Sequence, residues 1–354
     1  MKHNRNILVP VLVGPAILAF STLGADLSFH PAKGTSLTKT VIQTAEMSLD
    51  DMTISQNGQE IDPSMLGSVE MQMTTEQTVT FTDTYADVAD GQAKQLRRTF
   101  DELASKVNTS MSNPMMGDMD MDVNSESELE GMTVKFTWDA DADEYVASFA
   151  DDAEGDAKLL EGLRADLDYT GFLPSGEVEK GATWDVDPLN MLAVLAPGGS
   201  LKLEPVDMDE SMMGMGAGPT PSADEFLQAI EGSVKAEFLG LREGDGPSIA
   251  VIKLTFDITS ASDLTDLIKE TMKDMEMPEM EMEFDSFDME FAYEGEGEIH
   301  WNVAAGHIAG FEISGEVTMS IDQSMNISMQ GMEMAMEQSM TLSGSQSVNL
   351  STSE

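Results

Sequence analysis

An α+β molecule built on a strongly curved antiparallel sheet, a half-barrel or open barrel with a few packing helices, is the fold this sequence predicts. Three observations predict it. From Met280 to Leu350 apolar and polar residues alternate almost without interruption, the period of a half-buried strand. Two stretches, 93–107 and 262–274, repeat instead at helical spacing. The helices so read are few and grouped, whereas a parallel sheet would alternate them with strands. One face of the sheet is apolar throughout, so helices, a second sheet or a ligand must cover it.

The elements follow in chain order. Lys2 and Arg5 precede an apolar run over 7–20, and Leu23-Gly24-Ala25 offers a cleavage point before Asp26. Residues 1–25 therefore read as a signal peptide. The run is too short, and too interrupted by Pro10 and Pro15, to span a membrane. Residues 26–204 form an N-terminal half. Residues 33–49 are rich in Thr and β-branched side chains, a strand composition, and Asn57-Gly58 marks a tight turn. Val69, Met71, Met73, Val79 and Phe81 share one side of a second strand over 69–85. In 93–107, Leu96, Phe100, Leu103 and Val107 fall at helical spacing and predict an amphipathic helix. Residues 108–131 have no clear period and read as a flexible insert.

Met132, Val134, Phe136 and Trp138 alternate, residues 139–143 turn, and 145–149 return as a hairpin partner. A short helix is predicted over 158–167, a short strand over 181–184, and an apolar helix over 189–195, ended by Pro197-Gly198-Gly199. Residues 205–222 read as a linker. The C-terminal half, 223–354, begins with a short helix (223–231) and a hairpin pairing 233–242 with 248–258. A helix over 262–274 follows, capped by Ser262, with Leu264, Leu267, Ile268 and Met272 inward. The glycine-punctuated meander completes it. The two halves are separate domains or share one continuous sheet.

Composition narrows the function. Asp and Glu number 65 against 18 Lys and Arg, a net charge of −47. Nucleic-acid binding through phosphates needs clustered cations and is excluded. Docking on anionic membranes is disfavoured. Surface carboxylates instead hold water and keep a chain soluble. Cysteine is absent, which removes disulfides, thiol chemistry, Cys-based metal sites and any lipid-anchored N-terminal cysteine. Only His3, His30, His300 and His307 remain, with neither a paired-histidine zinc motif nor a nucleophile elbow. The chain reads as a non-enzyme that calls for no cofactor. Asp118-x-Asp120-x-Asp122 and Asp139-x-Asp141-x-Asp143 begin like calcium loops. The sixth position (Val123, Glu144) and the twelfth (Leu129, Ala150) break both patterns, so solvated turns are expected. Trp138, Trp184 and Trp301 fall in predicted strands as core anchors.

Methionine is the compositional anomaly, at 30 residues. Thioethers do two kinds of work. As soft ligands they select Cu(I), and Met115, Met116, Met119 and Met121 of the insert are the candidate metal ligands. As flexible hydrophobes they shape an adaptable apolar wall. At period two in the meander, Met282, Phe284, Met319, Met329, Met332, Met334 and Met336 are the candidate ligand-facing residues. The leading expectation is a secreted or periplasmic protein binding a hydrophobic small molecule, a lipid or a partner segment on that face. The alternatives are a structural or interaction domain of the cell envelope, its face closed by helices 93–107 and 262–274, and a Met-loop Cu(I) binder. The protein partner is unknown.

Three short stretches carry a resemblance. They are Pro31-x-Lys33-Gly34 before the Thr-rich strand, Asp90-Gly91 before residues 97–103, and Leu173-Pro174 with Val178-x-x-Gly181-x-x-Trp184. Over residues 31–200 the chain resembles a group of uncharacterised exported bacterial proteins, domains of unknown function. The outline of helices on a curved sheet is similar to the lipoprotein-carrier half-barrels of the bacterial periplasm. The first resemblance implies export and the second, given a hydrophobic cavity, lipid carriage; neither assigns a residue a role.

Overall fold

The structure is a computed structural model. It describes residues 24–61, 69–113, 117–150, 155–165, 168–206, 227, 229–242, 246–273, 280–329 and 332–354. Of the predicted leader only Gly24 and Ala25 fall within these residues, and Ala25 pairs with Val178 in an isolated bridge. Met115, Met116 and most of the predicted linker lie outside them.

In chain order the strands are β1 (Ser36–Gln56), β2 (Gln59–Glu60), β3 (Glu70–Ala89), β4 (Gln92–Asn113), β5 (Gly117–Ser127), β6 (Thr133–Asp139) and β7 (Glu144–Phe149). There follow β8 (Thr183–Val186), β9 (Leu203–Pro205), β10 (Glu231–Arg242), β11 (Ile249–Asp263), β12 (Met280–Asn302), β13 (His307–Met329) and β14 (Met332–Ser353). All belong to one sheet, ordered β7-β6-β4-β3-β1-β14-β13-β12-β11-β10-β8, with β2 beside β1 and β5 bridging β4 to β9. The sheet is open and its pairings are antiparallel. Of the described residues 69% are strand and 8% helix, so the described structure is mostly β where the sequence predicts α+β.

The main correction concerns residues 93–107, which are strand and not helix. Thr80 pairs with Glu102, but Phe81 pairs with Phe100, so Asp101 is an extra residue bulged out of β4. A bulge places two residues opposite one and reverses the alternation beyond it. Leu96, Arg98 and Phe100 lie on one face before it; Leu103 and Val107 regain that face after it. The four- and three-residue steps that imitate a helix are a strand with one bulge.

Of the predicted insert, 108–113 and 117–127 are likewise strand. Met111 pairs with Met119 and Ala104 with Glu126, so β4 and β5 form a hairpin. Of the helix predicted over 158–167, the described residues hold a 3-10 turn at Ala157–Leu160, and 161–165 are not helical. Glu231 already belongs to β10, and the described part of 223–231 holds no helix. The helix over 262–274 is present as Thr265–Lys273, and Asp263, not Ser262, accepts the Thr265 backbone N–H. The apolar helix near 189–195 is a 3-10 turn followed by Leu192–Leu195. The Asn57-Gly58 turn forms as predicted, both residues having positive φ. The hairpins β6–β7 and β10–β11 and the meander β12–β14 also form.

The two sheet faces differ sharply. The outer face is hydroxyl-rich and acidic. Thr133, Thr99, Thr82, Thr38 and Ser353 make one row across five strands. Hydroxyls of Thr38 and Thr82 lie 3.1 Å apart. The inner face carries the core: Leu37 and Val41 of β1, Val79 and Phe81 of β3, Ile313 and Val317 of β13, Leu350 of β14. Two strap segments, 24–35 and, among the described residues, 155–165 with 168–201 outside β8, lie over one end of that face. Tyr169 stacks on Phe311 at 4.8 Å, and the Gln43 amide donates to the Val194 carbonyl at 2.7 Å.

The sheet bends around this filling. Tyr85 of β3 and Trp301 of β12 are four strand spacings apart, about 19 Å on a flat sheet. Yet the Phe29 ring lies 5.6 Å from Tyr85 and 6.5 Å from Trp301. Glycine permits the close approaches this needs. A Cβ on Gly344 would stand 1.8 Å from the Glu46 carbonyl oxygen, and one on Gly295 would meet the Phe256 ring at 2.8 Å.

Candidate functional site

The same strands change character along their length. At the strap end their inner side chains are buried and, apart from a cluster of polar and charged residues, are mainly Val, Leu and Phe. Toward the far end the inner positions become methionine and most become half-buried. The pairing registers align these methionines into rows. Met52 of β1 pairs with Met340 of β14, which pairs with Ile321 of β13, which pairs with Met289 of β12. Met336 pairs with Met325, which pairs with Phe284. On the other wing Met71, Met111 and Met119 are directly aligned on β3, β4 and β5. Below them Met47 pairs with Met73. Thioethers with three rotatable bonds make such a wall apolar and deformable.

The candidates from the sequence separate on this face. Met334 and Met336 are half-buried on the open part of the wall, with the Gln56 amide directed onto the Met334 sulfur. Met319 is half-buried between the main core and the small helix cluster. Phe284 is closed off. It packs with Met289, Leu264 and Ile268 beneath the helix Thr265–Lys273 and lies edge-on to Phe287 at 6.4 Å. The helix is anchored there by Leu264 N–H to the Phe287 carbonyl at 2.8 Å and Phe287 N–H to the Thr265 hydroxyl at 2.8 Å. For Met282, Met329 and Met332 the backbone gives the register alone: Met282 pairs with Ile327, and Met329 with Met332.

Met119 and Met121 are strand residues of β5, not loop residues, and their neighbours across the sheet are Met111 and Thr109. The alternate positions, Asp118, Asp120 and Asp122, are exposed on the outer face, where the Ser112 hydroxyl donates to Asp118 at 2.8 Å. Asp139 caps its own turn by accepting the Asp141 N–H at 2.9 Å. His300 lies 3.1 Å from both Glu298 and the Arg242 guanidinium. His307 is buried, with its Nδ1 2.8 Å from the Ile308 carbonyl.

A buried charge cluster clasps strap to sheet, and nothing in the sequence period announced it. Lys39 of β1 donates to Asp83 at 3.0 Å, to Asp168 of the strap at 2.6 Å and to the Tyr85 hydroxyl at 3.1 Å. Arg98 of β4 grips Asp83 with two bonds, at 2.7 and 2.9 Å, and donates to the strap carbonyls of Arg164 and Ala165. The Tyr85 hydroxyl donates to Asp168. Two cations face two carboxylates, and all four residues are buried. Burial by itself opposes charge on Lys39, Arg98 and Asp83. The opposite charges win: Asp168 and Asp83 hold Lys39 above its usual range, Asp83 does the same for Arg98, and Arg98 then Lys39 hold Asp83 below the usual carboxylate range. Burial and then Asp168 push the Tyr85 phenol well up, which keeps it a neutral donor. Arg98 was the available signal: an arginine at an inner position between Leu96 and Phe100 must find an anion.

Two hollows occur away from the methionine wall. One of about 220 Å³ lies at the strap end among Trp138, Tyr145 and Asp168. One of about 450 Å³ borders Thr259, Glu290 and Thr318 on the outer side. Among the described residues no helix is long and apolar enough to cross a membrane.

No protein-family model and no curated protein matches this chain. Among solved structures it aligns with an outer membrane channel from Pseudomonas putida F1 at 8% identity, over 91% of this chain and 97% of that one. The TM-score is 0.19, too low for a shared fold.

Proposed function

We propose that this chain is an exported, non-enzymatic binding protein with a half-barrel outline, and that it holds a long apolar chain, of the kind found in lipids, against the methionine half of its inner face. One observation carries the reading. The inner face is continuous from end to end, yet it passes from fully buried Val, Leu and Phe to half-buried Met52, Met325, Met336 and Met340. A face meant only to close a core has no use for flexible side chains left half open to water. Concave apolar surfaces with adaptable walls suit ligands of variable shape. The outer face supports a water-facing molecule: Glu294, Glu296 and Glu298 stand on β12 where a lipid-facing barrel strand would carry apolar residues. The leader-like residues 1–25 support export.

The test is titration of the delipidated chain with a dansylated undecanoic acid, followed by fluorescence. The wild-type chain is expected to bind with micromolar affinity. Met336→Asp places a charge on the wall where water still solvates it, so binding falls at least tenfold while the fold persists. Ser345→Asp, on the exposed outer side of β14, leaves binding unchanged. A wild-type chain that ignores the probe overturns the proposal, and so does a Met336→Asp chain that unfolds, because the face would then be sealed core.

A further inference from the structure

The geometry points to a soft-metal site on the other wing of the wall: Met71, Met111 and Met119 bind one monovalent d10 ion, Cu(I) or Ag(I), through three thioether sulfurs, with Met73 and Met121 as flanking donors. This goes beyond apolar ligand binding, uses different strands and is read with a different probe.

The argument begins with register. Met71 pairs with Met111, and Met111 with Met119, so three methionines stand side by side on three adjacent strands. Directly opposed residues have Cβ atoms about 4.5–5.5 Å apart. Met111 is central, and the outer two side chains swing toward it by rotation about bonds that cost little to turn. One step along the sheet, Met121 and Met73 flank Thr109 on the same face. All five are half-buried: reachable from water, yet partly shielded from it. Five thioethers on three strands, at positions where leucine or valine would serve a core equally well, constitute a donor set.

Charge separates the metals. The sequence of β5 alternates acid and thioether, so the sheet itself sorts its donors. Asp118, Asp120 and Asp122 are exposed on the outer side, and Met119 and Met121 lie on the inner. Hard cations drawn by a net charge of −47 meet oxygen ligands outside. Among the described residues, the inner positions directly aligned with these methionines carry sulfur and the Thr109 hydroxyl, a set that favours soft monovalent ions over Ca²⁺, Mg²⁺ or Zn²⁺. Binding here is coordination without electron transfer, so the copper must arrive already reduced.

The experiment uses the full chain. Ag(I) is titrated with native mass spectrometry as readout, and Cu(I) is supplied anaerobically with ascorbate in competition with bicinchoninate. The wild type is expected to retain one ion. Met71→Leu/Met111→Leu/Met119→Leu keeps volume and apolarity, and is expected to weaken binding at least 100-fold with an unchanged circular dichroism spectrum. The single Met111→Leu variant serves if the triple fails to fold, with at least a tenfold loss expected. Met334→Leu/Met336→Leu is expected to bind metal as the wild type does. Equal affinity in the wild-type and triple-variant chains overturns the site. Loss of the ion on Met115→Leu/Met116→Leu, with the triple variant unaffected, also overturns it and moves the ligands to that pair. The dansylated acid remains bound in the triple variant, so the two proposals fail separately.

Discussion

Lys39 and Arg98 share Asp83, so removing that one carboxylate strands two buried cations at once. Lys39 keeps Asp168, but Arg98 keeps the strap carbonyls and the rings of Phe81 and Phe136, 4.3 and 5.5 Å from its guanidinium carbon. Breaking a buried pair from one side costs about 3–5 kcal/mol, and Asp83→Asn is expected to lower the unfolding free energy by about that much in urea titrations. The same group sets a pH dependence. The Asp83 pKa is lower folded than unfolded. Its contribution is therefore complete above the unfolded value, about 4, and is lost as pH falls through the depressed folded value. The Lys39 pKa is raised. Its contribution is complete below the unfolded value, about 10.4, and is lost as pH rises through the folded one. Urea midpoints measured from pH 2 to pH 11 in wild type and Asp83→Asn, taken as a difference, cancel the acid response of the many surface carboxylates. The difference should shrink below pH 4. A difference that stays constant there would assign the acid limb to other groups.

Bulges decide which elements the sequence shows and which it hides. The meander was legible because alternation runs unbroken for most of β13 and β14, and the β6–β7 hairpin because its turn residues sit between two alternating runs. β4 was hidden by a single residue. Asp101 steps out of the ladder, turning two-residue spacing into the mixed three and four of a helix. Asp50 does the same in β1 and Asp285 in β12. In all three an exposed aspartate interrupts an apolar alternation, a readable signal once acidic side chains are taken as out of register. The alternation of the meander singles out Met334, Met336 and Met319. The sequence also singles out Met119 and Met121, but not their alignment with Met71 and Met111, because pairing partners are not written in a strand's own period. The bulge yields a test. Deleting Asp101 restores strict alternation and turns Leu103, Val107 and Met111 to the outer face, so the chain should be insoluble. Asp101→Ala keeps the extra residue and loses only the hydrogen bond from Thr82, 2.8 Å long, so it should fold with about 1 kcal/mol less stability. Soluble yield and urea unfolding check both.

At the scale of the molecule, the first and last long strands meet in the middle of the sheet. β1 lies between β3 and β14, and the Thr44 hydroxyl is 2.8 Å from that of Ser347 across a separation of 303 residues. The N-terminal and C-terminal halves are therefore joined through a backbone ladder from Thr38–Ser353 to Gln56–Met336, interrupted by one bulge. Such a ladder carries all the entropy of closing the whole chain, so it forms late and slowly relative to the local hairpins. Once formed, it leaves neither half a free inner edge. Phe29 reinforces the coupling by touching Tyr85 in one half and Trp301 in the other. One cooperative unfolding unit is the expected result. Trp138 on β6 and Trp301 on β12 report on the two halves. Two variants isolate them: Trp184→Phe/Trp301→Phe leaves Trp138, and Trp138→Phe/Trp184→Phe leaves Trp301. In each, the tryptophan fluorescence transition and the far-ultraviolet dichroism transition in urea should coincide, because neither half melts without opening the β1–β14 seam. Comparing two probes within one variant removes the cost of replacing the fully buried Trp301. Fluorescence that leads dichroism in one variant and trails it in the other would mean that the halves melt separately and that the seam is weaker than its length implies.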